Sequence, residues 1–403
     1  MQGLLSLFLP APQRPDRSDA ADFLRVFCVG FIGWYHIWQQ SWLNPDLRLG
    51  RLVFRFYPLV SCGYMFVDLM LLLSGFLLML GFLNGRDLRP SDFYRSRAAR
   101  ILPSYWLGIA VMLFAALWPE NLYASMAEMW GDLLPHLTFT HNFFFFPYLC
   151  TKLNGVLWTL AVEVQFYLLF PWLARAFEKR PGLTYLAMTA FSLLVRLRLC
   201  LWDQDVSLYF NRLGAMLDVY ANGMLAAWLY LRLSQKPERA WRAWVSTGLT
   251  VFSCIAVYRI LNRQMYTDGL TVLRQGQMTW RFLLSLLGGI FLVCGSRSIR
   301  LLRSLFSNRL TRFLSGISFN FYIYHQFLAL QLKKWRIPPY TGDAPNMEGQ
   351  MPWQRRYTVL CFLAALLAAV LATYLVEKPC ARLIKKHKAA AKQFYAGKSV
   401  NLP

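Results

Sequence analysis

The stretch DFLRVFCVGFIGWYHIWQQSWL, from Asp22 to Leu43, has the length and the apolar character of a helix that crosses a lipid bilayer. A bilayer core about 30 Å thick needs roughly 20 residues at 1.5 Å each. Nine further stretches meet or approach this length. The ten predicted spans lie near residues 23–43, 60–83, 101–118, 155–174, 183–200, 213–231, 243–261, 279–296, 313–332 and 357–376. We therefore predict an all-α, polytopic membrane protein with about ten transmembrane helices.

The composition agrees with a chain that is buried in lipid. Hydrophobic residues make up 57% of the 403 residues and charged residues 16%, whereas soluble domains carry about 45–50% and about 25%. No linker rich in proline, glycine or serine divides the chain, so we expect one membrane-embedded domain over residues 21–378. Residues 1–20 are expected to form an N-terminal cytoplasmic segment and residues 379–403 a basic cytoplasmic tail. The fifth and sixth spans are the weakest predictions, because Arg196 and Arg198 lie inside the fifth.

The distribution of basic residues predicts the orientation of the helices. Lysine and arginine total 43 against 20 aspartate and glutamate residues, which gives a net charge of +23. Basic residues collect in the cytoplasmic loops of membrane proteins, and the loops after the second, fourth, sixth and eighth spans are all basic. This alternation predicts both termini in the cytoplasm and explains the charge without a nucleic-acid partner. The first outer loop is the exception, because it carries Arg48, Arg51 and Arg55.

The eight cysteines give no evidence of a metal site. They are scattered, and they form neither a C-x-x-C pair nor a cysteine–histidine ligand spacing. Cys150 and Cys200 both lie near the predicted outer face, where a disulfide between them is one alternative and two free thiols the other.

The predicted outer loop from Trp118 to Asn154 is rich in aromatic and histidine side chains. It contains Trp130, His136, His141, a phenylalanine run at 143–146 and Tyr148. These rings could stack on sugars, or they could form an aromatic belt at the membrane interface. We prefer the belt.

The first span carries two polar side chains at depths where lipid disfavours them. A charge at the centre of a membrane helix costs about 2.5–3.5 kcal/mol, so such residues are usually paired or functional. Arg25 and His36 are eleven positions apart and therefore project from nearly the same helix face, about 16 Å apart along the axis. This arrangement indicates a path for a long anionic molecule. The alternative for His36 is a histidine that packs between helices.

The third span begins with a pair of arginines at the cytoplasmic boundary. Arg97 and Arg100 lie three residues apart and hence on one helix face, where two guanidinium groups could bind phosphate oxygens. A simple positive-inside anchor is the alternative, and it is the interpretation that we prefer for Arg95.

The fourth span contains a carboxylate near mid-membrane. Glu163 follows Trp158 and precedes Tyr167 by one turn, and at this depth it must be protonated or find a partner. Arginine or histidine side chains of the first and third spans are candidate partners, and a purely structural ion pair is the alternative. Asp68 in the second span raises the same question.

Six motifs follow one another along nearly the whole chain. They are Arg25 with ten intervening residues before His36, FVDLMLLLSGF from Phe66 to Phe76, Arg97 and Arg100 with Ile101 and Pro103, Trp158 through Leu168, GISFNFYIYH ending at His325, and the closing EKP. Each is weak alone, but their order is specific. The chain thereby resembles the integral-membrane acyltransferases of acyltransferase family three, with Phe319 where tyrosine is common.

The resemblance implies an enzyme that moves an acyl group, usually acetyl, from cytoplasmic acyl-CoA to a hydroxyl of a cell-surface or lipid-linked carbohydrate. The expected partners are acyl-CoA, a carbohydrate or glycolipid acceptor and the lipids of a bacterial plasma membrane, with no metal. We expect His36 to act as general base and Glu163 to orient or charge the imidazole, although an acyl-histidine intermediate is possible. Arg25, Arg97 and Arg100 are expected to bind acyl-CoA, with support from Asp68, Trp158, Tyr167 and His325.

A transporter is the alternative from another class. The buried set of Arg25, His36 and Glu163 could relay protons or bind an anion. Against this alternative, the ten spans show neither an inverted repeat nor a matched pair of broken helices.

Overall fold

The computed structural model describes residues 18–383, except 87, 204, 238 and 348, and nearly all of this chain is helical. The α-helices are α1 (Asp19–Ser41), α2 (Tyr57–Ser61), α3 (Phe66–Leu83), α4 (Pro90–Leu117), α5 (Met126–Leu137), α6 (Phe145–Leu149), α7 (Trp158–Lys179), α8 (Pro181–Trp202), α9 (Leu217–Ser234), α10 (Ala240–Gln264), α11 (Leu270–Gly295), α12 (Arg300–Phe306), α13 (Arg309–Lys334) and α14 (Met351–Ala372). A π-helical turn, Thr373–Glu377, follows α14, and 3-10 turns lie at Gly63–Met65, His141–Phe143, Gly155–Leu157 and Leu213–Met216. Strands β1 (Leu47–Leu49) and β2 (Leu52–Phe54) form an antiparallel hairpin.

Each of the ten predicted spans corresponds to a long helix, so the prediction of an all-α, polytopic membrane protein is confirmed. Seven segments within the described residues are long and apolar enough to cross a membrane: Gly63–Leu83, Pro90–Leu117, Gly155–Lys179, Pro181–Trp202, Ala240–Gln264, Leu270–Gly295 and Met351–Leu383. Helices α1, α9 and α13 are more polar. The total of ten spans and the cytoplasmic termini therefore stay predictions, and most of the predicted end segments, residues 1–17 and 384–403, lies outside the described residues.

Local sequence signals account for where several long helices begin. The side chain of Ser18 accepts a hydrogen bond from the backbone of Ala21 at the start of α1. At the start of α13 the side chain of Asn308 accepts one from the backbone of Thr311. Proline occupies the first turn of α4 and α8, where its missing N–H costs nothing. Helix α4 begins at Pro90, so the predicted loop before the third span is partly helical, and Arg97 and Arg100 lie on this helix.

Close backbone contact joins α3 to α9 in the middle of the bundle. A Cβ atom at Gly75 would lie 2.6 Å from the carbonyl oxygen of Tyr220, so only glycine allows the two backbones to approach this closely. The SGF sequence that closes the second motif therefore has a packing function.

Helix α1 is held against α13 by polar contacts at its first turns. Arg312 forms an ion pair with Asp19 at 2.9 Å, and the hydroxyl of Ser315 donates to Asp22 at 2.6 Å. These contacts fix the register of the two helices that carry His36 and His325.

A buried ion pair explains how the weakest predicted span is accommodated. Arg196 of α8 donates to both carboxylate oxygens of Asp218 in α9, at 2.8 and 2.6 Å. Both side chains are buried, and a bidentate pair satisfies charges that lipid would not solvate. Helix α9, the sixth predicted span, thus supplies the carboxylate that Arg196 of α8, the fifth predicted span, requires.

The segment between α4 and α7 folds over one end of the bundle. His136 and His141 are buried and stack with their ring centroids 4.0 Å apart, so neither ring is free to stack on a sugar. Phe143, Phe144 and Phe145 are exposed, as the interfacial belt requires. Cys150 and Cys200 are both free, so the predicted alternative of a disulfide between them is wrong.

Candidate functional site

Five of the predicted site residues line one cavity with an open volume of about 800 Å³. They are Arg25 of α1, Arg97 and Arg100 of α4, and Glu163 and Tyr167 of α7. The arginine cavity, as we name it, is completed by Val67, Met70, Leu71, Ser74, Leu77, Leu78, Ile101, Thr159, Leu160, Ser318, Phe319 and Tyr322.

The arginine cavity brings three guanidinium groups together with one carboxylate, that of Glu163, among the described residues that line it. Within the part of the chain that the structure describes, none of them forms an ion pair. The Nε of Arg97 is buried without a hydrogen-bond partner, and its guanidinium lies 5.8 Å from the ring centroid of Phe93 and 5.9 Å from that of Tyr167. Three cations beside one half-enclosed cavity repel one another, so the arrangement favours an anionic ligand.

Glu163 has partners other than the one predicted for it. Its carboxylate accepts hydrogen bonds from the hydroxyl of Ser74, at 3.0 Å, and from the hydroxyl of Tyr167. It lies in the arginine cavity and makes no contact with His36 within the described residues. The expected orientation of the imidazole by Glu163 is therefore wrong, because the carboxylate belongs to the polar lining of the other cavity.

His36 lines a second cavity, which has an open volume of about 770 Å³. The histidine cavity, as we name it, is further lined by Tyr35, Tyr64, Val67, Gly155, Val156, Trp158, Phe210, Asn211, Leu270, Leu273, Arg274, Gln277 and Tyr322. No carboxylate is among these described residues, and aromatic rings form much of the wall. Trp158 lies here, whereas Glu163 and Tyr167 of the same helix line the arginine cavity.

Two glutamines contact the imidazole of His36. Its Nδ1 lies 2.9 Å from Oε1 of Gln39 and 3.1 Å from Nε2 of Gln326. When Nδ1–H donates to Gln39, Nε2 carries the lone pair that a general base needs. In this tautomer Nδ1 cannot also accept, so the amide nitrogen of Gln326 lies against the ring without a hydrogen bond to it. Within the described residues this Nε2 makes no hydrogen bond, so it is open to a substrate.

His325 lies beside His36, with the two ring centroids 5.3 Å apart. Its Nδ1 is within hydrogen-bond distance of the carbonyl oxygens of Tyr322, at 2.7 Å, and Phe321, at 3.2 Å. Carbonyl oxygens only accept, so Nδ1 carries the proton and the buried Nε2, which has no partner, carries the lone pair. The predicted supporting histidine is thus brought to the site.

The two cavities share one wall, formed by Val67 of α3 and Tyr322 of α13. The hydroxyl of Tyr322 donates to the carbonyl oxygen of Val156 at 3.2 Å and accepts from Thr159 at 3.0 Å. The single path predicted from Arg25 to His36 is therefore divided. Both residues project from α1, but into different cavities.

Asp68 lies outside both cavities. It is buried and forms an ion pair with Arg281 at 2.9 Å, while Arg281 also donates to the backbone of Phe210 and to Asn211. The pair joins α3 to α11 and fixes the segment that ends at Asn211, which lines the histidine cavity. Asp68 therefore supports the site through the fold and does not contact it.

Sequence reasoning missed Gln39, Gln326, Ser74 and Tyr322. The two glutamines had a signal, because amides inside apolar helices need partners as charges do. Ser74 and Tyr322 are common helix residues, and their importance depends on which helices adjoin.

Comparison with known proteins gives the family. The model of acyltransferase family three, described as an acyltransferase domain, matches residues 18–376. Among relatives, nodulation protein 10 of Rhizobium leguminosarum bv. viciae is 27% identical over 57% of this chain and 65% of its own length. Acyltransferase MdmB of Streptomyces mycarofaciens is 29% identical over 42% of each chain. The putative peptidoglycan O-acetyltransferase YrhL of Bacillus subtilis is 26% identical over 37% of this chain and 22% of its own length.

The match to each curated relative covers less than two thirds of that relative's length. No solved structure matches the chain. The family model nevertheless covers nearly all of the sequence, and five of the six motifs that carry the resemblance contribute residues to the walls of the two cavities. The chain is therefore a multi-pass membrane protein that belongs to acyltransferase family three.

Proposed function

We propose that this acyltransferase moves an acyl group, most simply acetyl, from acyl-CoA to a hydroxyl of a cell-surface or lipid-linked carbohydrate. The observation that carries the proposal is the pair of cavities with one common wall: three arginines without ion pairs on one side, and His36 with an open Nε2 on the other. A multi-pass protein with these cavities fits a bacterial plasma membrane, with the donor in the cytoplasm and the acceptor outside.

Acyl-CoA would match the arginine cavity in charge and in the apolar character of its remaining wall. Its phosphate groups would meet the guanidinium groups of Arg25, Arg97 and Arg100, which can each donate more than one hydrogen bond. Apolar side chains such as Met70, Leu77 and Leu78 line the rest of the cavity, where the pantetheine arm would lie. This binding would bring the thioester to the wall at Val67 and Tyr322.

His36 would act as the general base for the acceptor. Its Nε2 would take the proton of the acceptor hydroxyl while the hydroxyl oxygen attacks the thioester carbonyl carbon. The tetrahedral intermediate would then lose the CoA thiolate, which takes up the proton from the imidazolium. In the alternative, Nε2 attacks the thioester itself, and an acyl-histidine carries the group to the acceptor.

The histidine cavity has the composition of a carbohydrate site. The rings of Tyr35, Tyr64 and Trp158 line it, and the buried Gln277 makes no hydrogen bond within the described residues. Aromatic faces and unpaired amides are the groups that receive a sugar ring and its hydroxyls. The name of the Bacillus relative, which refers to O-acetylation of peptidoglycan, also supports a glycan acceptor.

Proteoliposomes that contain the purified protein test the proposal. Acetyl-CoA labelled in the acetyl group is supplied together with a glycan and glycolipid extract of cells that lack the gene. We expect label in the glycan as an ester that mild base releases. His36→Gln should lower this transfer by about 10²–10⁴-fold, the usual contribution of a general base, while Gln40→Leu on the same helix should not.

Two results would contradict the proposal. Near-normal transfer by the His36→Gln variant would remove His36 from the reaction. Accumulation of label inside the vesicles, without any ester, would favour the transporter. In a separate assay without an acceptor, transfer of the acetyl group from unlabelled acetyl-CoA to CoA labelled in its nucleotide would select the acyl-histidine route over the simple base.

A further inference from the structure

The hairpin formed by β1 and β2 separates apolar from basic side chains. In its register Leu47 pairs with Phe54, and Leu49 pairs with Leu52. Paired residues and alternate residues share a face of a sheet, so these four large apolar side chains lie on one face. Arg48 pairs with Val53, and Arg55 follows two residues after Val53, so both arginines belong to the opposite face. Arg51 lies at the turn.

The turn is built for a tight connection. Gly50 has a φ of +60° and is the first of the two residues between the strands, as in a type II′ turn. The pattern of residues and the turn therefore agree on one register.

The apolar face is uncovered by the rest of the protein. Leu47, Leu49, Leu52 and Phe54 expose 48%, 57%, 65% and 46% of their surfaces. A two-stranded hairpin is marginally stable in water by itself, and a contiguous apolar face of this kind marks an interaction surface. The exposure needs a partner that is apolar over an extended area.

The basic face also lacks protein partners. Arg48, Arg51 and Arg55 are exposed and form no ion pair within the described residues. The base of the hairpin is nevertheless fixed, because Asp46 accepts a hydrogen bond from the backbone of Tyr57 at 2.9 Å and Tyr258 of α10 donates to the carbonyl oxygen of Arg55. The hairpin is thus held in place with both faces free.

The position of the hairpin selects the partner. It connects the end of α1 to the membrane helix α3, and Trp42, half-exposed at the end of α1, is a residue typical of the membrane interface. We propose that the hairpin lies in the lipid–water interface, with its apolar face at the acyl-chain boundary and its three arginines bound to the phosphates of anionic lipids. This accounts for the basic residues that depart from the charge pattern of the other outer loops.

Hydrogen–deuterium exchange of the full-length protein in nanodiscs tests the proposal. One disc contains phosphatidylcholine alone, and the other contains phosphatidylcholine mixed with phosphatidylglycerol. We expect the amides of residues 47–54 to exchange at least about tenfold more slowly in the anionic disc, since each basic residue near an anionic surface adds to binding. The variant Arg48→Gln/Arg51→Gln/Arg55→Gln should lose this difference.

Matched variants separate the two faces. Arg355→Gln/Arg356→Gln, which changes two exposed arginines of α14, should keep the lipid dependence of residues 47–54. Leu49→Ser/Leu52→Ser should speed their exchange in both discs. Equal exchange in the two discs, or an unchanged difference in the triple arginine variant, would overturn the proposal. So would equal slowing by inorganic phosphate in detergent, because the site would then bind free phosphate and not a bilayer.

Discussion

The side-chain amide nitrogen of Gln326 lies 3.1 Å from Nδ1 of His36, so α13 places an amide against the atom that donates to Gln39 in the general-base tautomer. No carboxylate lines this cavity within the described residues. The general base would therefore be oriented by amides, which fix the ring without adding a charge beside it.

Removal of the amide on α13 should slow the chemical step. We expect Gln326→Leu to lower kcat for acyl transfer by about tenfold, the equivalent of about 1.4 kcal/mol in the barrier, because the imidazole loses the polar side chain of α13 that lies against its Nδ1. The affinity for acyl-CoA should not change, since Gln326 lies outside the arginine cavity. Steady-state kinetics and equilibrium binding measure the two quantities. Gln331→Leu on the same helix is the control, and equal kcat values for the two variants would contradict the assignment.

Arg97 should act on the nucleotide part of the donor. We expect Arg97→Gln to weaken acetyl-CoA binding by about 10–100-fold, because a hydrogen bond to a charged group is worth about 1.5–3 kcal/mol. The rate of transfer from acetyl-pantetheine, a donor that lacks the nucleotide phosphates, should not change in this variant.

Arg95→Gln is the matched control, since Arg95 is exposed on the same helix and does not line the cavity. Equal losses for the two donors would mean that Arg97 acts through the fold and not through phosphate.

Sequence alone predicted the fold class and most of the helices, because a helix that spans a membrane requires a long run of apolar residues. It also predicted that Arg25, Arg97 and Arg100 belong to one site, and the structure brings all three to the arginine cavity, together with Glu163, which was predicted beside His36. Helical periodicity could give the face of each residue on its own helix. It could not give which faces meet.

The partner of Glu163 shows where this reasoning ends. Depth and charge favoured an imidazole or a guanidinium, but the hydroxyls of Ser74 on α3 and of Tyr167, one turn along α7, donate to the carboxylate instead. Likewise, nothing in the spacing of Arg25 and His36 reveals that Val67 and Tyr322 separate them. Such facts depend on tertiary packing between helices that are distant in sequence.

The wall between the cavities should control passage of the acyl group. Val67 is buried and borders both cavities, so Val67→Trp should thicken the wall and lower kcat for transfer by tenfold or more. Binding of acyl-CoA should remain within about twofold, because the arginines are unchanged. Val67→Ala should retain transfer.

Thermal unfolding in detergent is needed beside the kinetics, since a larger core side chain can cost about 1–3 kcal/mol. Equal transfer rates for the tryptophan and alanine variants at equal stability would show that the acyl group does not cross this wall.

Asp132 should make the segment between α4 and α7 sensitive to acid. Its buried carboxylate accepts hydrogen bonds from Tyr123 and Thr151, both at 3.0 Å, and from the backbone of Lys152 at 2.9 Å, with His136 at 3.3 Å. Burial opposes ionisation, but His136 and these donors outweigh it and hold the pKa of Asp132 below its ordinary value.

A lowered pKa in the folded state stabilises the fold above the unfolded value of about 3.9, and this stability is lost as the pH falls through the folded value. We expect the amide protection of residues 119–154, corrected for intrinsic exchange, to fall between about pH 5 and about pH 3. Asp132→Asn should remove about 1–3 kcal/mol of local stability at neutral pH and flatten the acid dependence. Glu120→Gln, which alters an exposed pair with Lys334, should leave both unchanged. The same acid profile in the Asp132→Asn variant as in the unchanged protein would assign the transition to another group.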